Sequence, residues 1–208
     1  LIDTLHAVTA AHCVVEDGEP IDTPFSVTFG NGASATVTEF YINPCYDDSA
    51  VAGVDFAVLR FGAQPAGVTP HELHMGDDEP EKGKTITIVG WGDFGPAGPT
   101  RPIECADAPT GCSQLRRGHN VVTSTSNNAL RYTLDDPSGG EALPLEALAW
   151  SGDSGGPAFI ADASSGQLRV AGVNAAGDCC AYGSVDEYAR VSSRAATAWI
   201  LATMDAVR

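Results

Sequence analysis

The chain has 208 residues and a formal charge of −16, because 27 acidic side chains outnumber 11 basic ones. This length allows one substantial core, or a two-lobed β fold counted as one unit, and argues against a second independent domain. The acidic balance argues against nucleic acid as a partner. No apolar stretch approaches the length of a membrane span, so we expect no membrane partner either.

The predicted elements in the body of the chain are short strands. Residues 25–29 alternate apolar and polar side chains, Asn31-Gly32 supplies a turn, and residues 35–42 resume the alternation, which predicts a β-hairpin. Further strand candidates, all separated by loops that contain Gly or Pro, are residues 56–61, 85–89, 120–123, 157–160 and 168–173. Strands at this spacing are typical of an all-β sandwich or barrel fold.

Only the end of the chain has the spacing of a helix. Ser192 or Ser193 is a natural N-cap, and apolar residues follow at helical spacing up to Val207. We expect a C-terminal helix that packs on the β core.

The six cysteines favour disulfides. Their number is even and none forms a Cys-x-x-Cys pair of the kind that binds zinc, which indicates an oxidising compartment and a secreted, extracellular protein. Cys105 and Cys112 are close enough in sequence to staple the loop over residues 93–113. Fifteen pairings of six cysteines are possible, and the sequence selects none of them.

The segment Gly152-Asp-Ser-Gly-Gly-Pro157 carries the strongest chemical signal. Small residues flank Ser154, so the backbone can turn sharply while the amides of Gly152 and Ser154 converge on one point. Such a point can hold an oxyanion, and the serine hydroxyl is a candidate nucleophile. The plainer alternative is an ordinary glycine-rich turn.

Two further segments offer the partners that a nucleophilic serine needs. A small-residue strand, Val8-Thr-Ala-Ala, ends in His12 and Cys13, and His12 is a candidate base, although a buried structural histidine is the alternative. Asp55 opens the apolar strand 56–61, so its carboxylate needs a partner, and an imidazole N–H is suitable.

These segments together resemble the trypsin and chymotrypsin family of serine endopeptidases, in which His, Asp and Ser follow in this order. The sequences of residues 88–92 and 188–191 add to the resemblance. It implies an all-β fold of two packed six-stranded antiparallel Greek-key barrels with a C-terminal helix. The implied single peptidase unit, 1–208, divides into a first barrel with linker (1–75), a second barrel (76–191) and the helix (192–208).

The resemblance also implies a mechanism. Ser154 attacks the scissile carbonyl of a polypeptide substrate, His12 takes and returns the proton, and Asp55 orients His12. The amides of Gly152 and Ser154 bind the oxyanion, and Asp153 supports them by pairing with the amino terminus of a processed chain. This chemistry needs no cofactor and no metal, and we expect a monomer.

The chain departs from the family at its start and in its cysteines. No Ile-Val-type amino terminus precedes His12, so we expect the sequence to be an N-terminally truncated piece. The family partner of Cys13 lies upstream of that start, and Trp150 replaces the cysteine expected before the nucleophile. Cys179 and Cys180 therefore lack their family partner.

The residues of the specificity pocket are predicted by counting from the matched motifs. Leu148 falls where trypsin has its acid at the pocket floor, with Ala149 beside it, whereas Asp186 falls at a second position on the pocket wall. Asp186 either faces solvent on a surface loop or awaits a cationic side chain. The remaining wall residues are Ala175, Ala176 and Gly177.

Three clusters could suggest metal binding and are better explained otherwise. His71-Glu-Leu-His74 lacks the spacing of a helical zinc motif, so we expect a solvated loop. Asp47-Asp48 and Asp135-Asp136 lack an alternating calcium loop, so we expect turns.

Two alternative functions compete with the peptidase. A noncatalytic homologue would keep the scaffold as a binding or regulatory protein, but no triad residue is lost. A serine hydrolase of the α/β type would need a helix after Ser154, where the sequence predicts a strand.

Overall fold

The computed structural model describes residues 1–47, 52–76, 80–97, 114–178 and 180–207, and within them the chain is mostly β. In chain order the strands are β1 (His6–Thr9), β2 (Val15–Glu16), β3 (Glu19–Pro20), β4 (Phe25–Thr28), β5 (Ser34–Ile42), β6 (Ala57–Phe61), β7 (Thr85–Gly90), β8 (Arg116–Thr125), β9 (Ala129–Thr133), β10 (Pro157–Ala161), β11 (Leu168–Gly177) and β12 (Val185–Ala189). Three short 3-10 turns span Ala11–Val14, Ala52–Val54 and Pro137–Gly139, and one helix, α1, spans Arg194–Ala206.

Strands β7 to β12 form a closed antiparallel barrel with the order β10-β11-β12-β9-β8-β7. The barrel closes where β10 pairs with β7, with Phe159 opposite Thr87. Its interior is filled by buried side chains from all six strands, Ile86, Ile88, Val122, Leu130, Tyr132, Ala158, Ile160, Ala171 and Tyr188. The barrel predicted for the second part of the chain is therefore confirmed.

The first part of the chain forms an antiparallel sheet with the order β1-β6-β5-β4 and a small ribbon of β2 and β3. The predicted hairpin is confirmed, since β4 pairs with β5 and Gly32 lies in the turn with a φ of 82° that favours glycine. Within residues 1–47 and 52–76, this sheet has four strands and does not close into a barrel.

A shared apolar core joins the sheet, the barrel and the helix. Phe56 and Val58 from the first sheet pack with barrel residues such as Val173 and with Ile200 of α1. The rings of Phe56 and Trp199 meet edge to face with centroids 5.5 Å apart. This core holds the chain after Asp55 against β11, the strand that follows β10.

The helix begins where it was predicted. The Ser193 hydroxyl caps it by accepting a hydrogen bond from the Ala196 amide at 3.3 Å. In the part of the chain that the structure describes, no helix has both the length and the apolar character that crossing a lipid bilayer requires.

Four strands, β2, β3, β9 and β12, were not predicted from alternation. β2 and β3 have two residues each, and β9 and β12 show no simple alternation of apolar and polar side chains. The predicted strand before the histidine is shorter than expected. It ends at Thr9, and His12 lies in the 3-10 turn Ala11–Val14.

Candidate active site

Asp55 holds His12 through two hydrogen bonds. Asp55 Oδ1 accepts from the His12 backbone amide at 2.9 Å, and Asp55 Oδ2 lies 2.6 Å from His12 Nδ1. The Asp55 side chain is 9% exposed and the His12 side chain 36% exposed. One carboxylate therefore fixes both the backbone and the ring of the histidine, while the ring keeps access to solvent.

Local structure explains why Asp55 points at His12. Asp55 follows the 3-10 turn Ala52–Val54, and its amide donates to the Ala52 carbonyl at 3.2 Å. A Cβ at Gly53 would lie 2.6 Å from Asn128 Cβ, so only glycine lets this turn pack against the loop before β9. The barrel therefore fixes the position of the turn that presents the acid.

The contact with Asp55 determines the tautomer of His12. A carboxylate only accepts hydrogen bonds, so Nδ1 carries the proton and Nε2 keeps its lone pair in the neutral ring. The hydrogen bond to Asp55 raises the pKa of His12 above its usual value, Cys13 adds to this rise, and burial opposes it.

The turn around Ser154 lies against the segment that carries His12. A Cβ at Gly155 would lie 2.4 Å from Thr9 Oγ1 and 3.1 Å from the Ala10 amide nitrogen, and the φ of Gly155 is 77°. Both observations require glycine directly after the serine. Ser154, which is exposed, is thus brought to the end of β1, next to the 3-10 turn of His12.

Asn174 on β11 brackets the same turn and was missed by sequence reasoning. Its carbonyl accepts from the Gly155 amide at 3.0 Å, and its amide donates to the Gly156 carbonyl at 2.8 Å. Asn174 directly precedes the predicted pocket-wall stretch 175–177, and a register shift in the pairing of β11 with β12 follows it. The signal in the sequence is a lone polar residue after the apolar run that ends at Val173.

Asp153 is held beneath the turn by backbone amides. Its Oδ1 accepts from the Gly92 amide at 2.7 Å and its Oδ2 from the Trp150 amide at 2.9 Å. Burial raises the pKa of Asp153, and these two hydrogen bonds oppose that rise. A Cβ at Gly90 would lie 1.8 Å from Asp153 Oδ1, so the carboxylate occupies space that only glycine leaves open.

A cavity of about 260 Å³ lies beside this carboxylate. Asp153, Leu148, Ala149 and Trp150 contribute to its lining, together with residues 92–97 and 116–118. The other predicted pocket residues, Ala175, Ala176, Gly177 and Asp186, do not line it. The structure therefore brings together only part of the predicted specificity pocket.

Asp186 does not lie on a surface loop, so that alternative is wrong. It lies in β12 and is 1% exposed, and its Oδ2 accepts from Tyr132 Oη and from the Ala149 amide, both at 2.7 Å. Burial raises its pKa to about 6, and the two hydrogen bonds oppose the rise. Since the folded state binds this proton more tightly than the unfolded chain does, ionised Asp186 lowers stability as pH rises from about 4 to about 6.

Where the structure describes them, the candidate metal clusters do not assemble. Within the described residues, no group of three His, Cys, Asp or Glu side chains could hold a metal ion. The expectation of a solvated loop is wrong for His74, which is 2% exposed. Its backbone amide donates to the Val170 carbonyl, so the segment lies against β11. Asp136 caps the 3-10 turn Pro137–Gly139 as expected of a turn residue, whereas Asp48 lies outside the described residues.

The cysteines are only partly described. Cys13 and Cys45 form no disulfide and are exposed. Cys180 is disulfide-bonded. Cys105, Cys112 and Cys179 lie outside the described residues, and so does the predicted staple of the loop 93–113.

Replacing Gly90 by alanine should displace the Asp153 carboxylate. Overpacking of this kind costs about 1–3 kcal/mol, so we expect the free energy of unfolding in urea to fall by that amount. Gly139→Ala is the matched control, because a Cβ there meets no atom within 4 Å. Equal effects of the two substitutions would contradict the packing of Asp153 against Gly90.

Comparison with known proteins gives one family. The sequence model of the trypsin family matches residues 1–200, and no curated protein matches the chain. The matched range includes the His12–Asp55 pair, the Ser154 turn and the closed barrel. On this coverage, the chain belongs to the trypsin family.

Proposed function

We propose that the protein is a serine endopeptidase that hydrolyses peptide bonds through an acyl-enzyme intermediate. The observation that carries the proposal is the double contact of Asp55 with the amide and ring of His12, next to the turn of Ser154. Membership of the trypsin family, whose members act on polypeptide substrates, agrees with it.

In the proposed mechanism, Ser154 Oγ attacks the scissile carbonyl carbon while His12 Nε2 removes the hydroxyl proton. Asp55 keeps the proton of His12 on Nδ1 and stabilises the imidazolium that forms. His12 then gives its proton to the leaving amine, and an acyl-enzyme on Ser154 remains. In the second half of the reaction, water attacks the carbonyl carbon of the acyl-enzyme while His12 removes a proton from the water. His12 then returns the proton to Ser154 Oγ, and the acid product is released.

The oxyanion is proposed to bind to the backbone amides of Gly152 and Ser154. Asp153 supports them because its carboxylate accepts from the amide of Trp150, which leads into the turn, and from the amide of Gly92 in the segment after β7. Amides fixed before the reaction need no reorganisation when charge develops on the carbonyl oxygen, and this preorganisation contributes about 3–4 kcal/mol per donor in comparable sites.

The proposal also covers substrate specificity, localisation and partners. Leu148 and Ala149 give the cavity an apolar wall. Ala175, Ala176 and Gly177 on β11 do not line this cavity and are proposed to form a second wall, along which the substrate backbone pairs. The enzyme is proposed to act as a secreted monomer on polypeptides, without cofactor, metal, nucleic acid or membrane. The cysteine content and the charge of −16 support this setting.

The noncatalytic alternative is less well supported. A binding protein that kept only the scaffold would have no use for a partly exposed imidazole held in one tautomer by a carboxylate that is 9% exposed. The α/β-hydrolase alternative fails because strand β10, and not a helix, follows the Ser154 turn.

The direct test of the proposed nucleophile is Ser154→Ala. We expect peptide hydrolysis by the full, processed protein to fall by about 10⁴-fold or more, because no acyl-enzyme forms without the hydroxyl. Ser151→Ala, a nearby and exposed serine, is the control and should keep full activity. Activity retained in Ser154→Ala, measured on a mixed peptide library, would exclude the proposed function.

The role of Asp55 predicts a pH profile. Because Asp55 raises the pKa of His12, kcat/KM should increase with pH around a midpoint above 6.5, as His12 loses its proton. In Asp55→Asn the midpoint of the pH profile should move down towards about 6.5. The plateau value of kcat/KM at high pH should fall by about 10³–10⁴-fold, because nothing then holds the proton of His12 on Nδ1.

Asp3→Asn is the matched control for Asp55→Asn. Asp3 accepts from His6 Nδ1 at 2.9 Å, so this variant removes an Asp–His hydrogen bond outside the proposed site. Its kcat/KM and midpoint should equal those of the wild type. A wild-type midpoint at or below 6.5 would argue against the proposed pair.

A further inference from the structure

Two carboxylates hold consecutive backbone amides in the segment that leads into the Ser154 turn. Asp186 Oδ2 accepts from the Ala149 amide at 2.7 Å, and Asp153 Oδ2 accepts from the Trp150 amide at 2.9 Å. Charge-assisted hydrogen bonds of this kind are stronger than those between neutral groups. The path of the backbone towards the proposed oxyanion amides therefore depends on both acids.

The surroundings of Asp186 leave little room for a substrate cation. The residue is 1% exposed, and both of its hydrogen bonds come from uncharged donors, the Ala149 amide and Tyr132 Oη. On the side of β11, a Cβ at Gly177 would lie 1.9 Å from Asp186 Oδ1, so the carboxylate packs against the strand backbone. Asp186 is also absent from the lining of the cavity beside Asp153.

A chain of buried side chains continues from Asp186 to the far side of the Ser154 turn. Tyr132 Oη lies 2.7 Å from Asp186 and 3.4 Å from Tyr188 Oη, and both tyrosines are buried. Asn174 lies directly opposite Tyr188 in the pairing of β11 with β12, so their side chains lie on the same face of the barrel sheet. The backbone of Asn174 brackets the two glycines after the serine, so the chain reaches both sides of the turn.

We propose that Asp186 is a positioning residue, whose ionised carboxylate fixes the Ala149 amide and, through Tyr132, Tyr188 and Asn174, the two sides of the Ser154 turn. The inference rests on the proposed function and adds a residue that acts on catalysis without touching substrate. It replaces the alternative in which Asp186 receives a cationic side chain.

The charged state of Asp186 follows from the groups that face it. Burial raises its pKa to about 6, Tyr132 from β9 and the Ala149 amide oppose this rise, and Asp153 and Asp178 add to it. At pH 8 the carboxylate is therefore ionised. An acid that is kept charged in a buried place at a loss of stability is typical of functional sites.

The test compares Asp186→Asn with the wild-type full chain at pH 8. Two substrate series differ only in the residue before the scissile bond, arginine in one and leucine in the other, and active sites are counted by covalent labelling of Ser154. We expect kcat to fall about tenfold in both series with KM unchanged, because a charge-assisted hydrogen bond is replaced by a neutral one. Asp178→Asn, which removes an exposed charge near Asp186, should leave kcat unchanged.

Three outcomes of the kinetic comparison would overturn the proposal. A loss confined to the arginine series and expressed in KM would make Asp186 a cation receptor. An unchanged kcat per active site with a lower melting temperature would make it a structural residue only. If Asp186→Asn does not fold, Tyr132→Phe removes a single donor to the same carboxylate, and an unchanged kcat in that variant would also overturn the proposal.

Hydrogen exchange separates this proposal from the proposed function. In Asp186→Asn the Ala149 amide should exchange about tenfold faster, relative to the amides of α1, than in the wild type. If the wild type hydrolyses neither series nor the mixed peptide library, the proposed function fails, and the exchange rate decides the role of Asp186 alone. Equal exchange rates in the two proteins would then overturn it.

Discussion

The hydrogen bonds between Asp55 and His12 are the interaction on which the rest of the site depends. The carboxylate accepts from the backbone amide of His12 at 2.9 Å and contacts Nδ1 at 2.6 Å, so it fixes the ring relative to the 3-10 turn. Two features of the fold bring His12 and Asp55 to the Ser154 turn. The core around Phe56 fixes the acid, and the absence of a side chain at Gly155 lets the two segments meet.

Three acids that are buried or partly buried organise the site, and backbone amides are among the partners of each. Asp55 holds the proposed base, Asp153 holds the proposed oxyanion turn from below, and Asp186 holds the segment that leads into it. A carboxylate that receives backbone N–H groups fixes the main chain more rigidly than an exposed ion pair does, since the pairing carries little side-chain entropy. The glycines at 90 and 92 leave the space that the Asp153 carboxylate occupies.

The sequence predicted the parts of the site that depend on local chemistry. Residues 152–156 lie between Ser151 and the start of β10, so the need for glycine around Ser154 was visible in the residues themselves. The pairing of His12 with Asp55, 43 residues away, came only from the order of motifs and the family resemblance. The hairpin of β4 and β5 and the capped helix were also predicted, because their signals lie within a few residues.

Contacts that depend on register between distant strands were not predicted. Asn174 meets the Ser154 turn across the barrel sheet, and no local pattern shows which residue of β11 makes that contact or where β11 shifts register against β12. Asp186 reaches Tyr132 and Ala149 because β12 pairs with β9 in one particular register, with Asp186 opposite Tyr132. The burial of His74 likewise follows from its pairing with β11, nearly a hundred residues later in the chain.

The most direct measurement of the central claim is covalent labelling with a fluorophosphonate, followed by mass spectrometry of the labelled peptide. The reagent reacts only with a serine whose proton is removed by a positioned base and whose oxyanion is stabilised. For the full, processed protein the account predicts one label per chain, at Ser154, and a strong slowing of labelling in Asp55→Asn. Correctly folded, processed protein that takes up no label at Ser154 would contradict it.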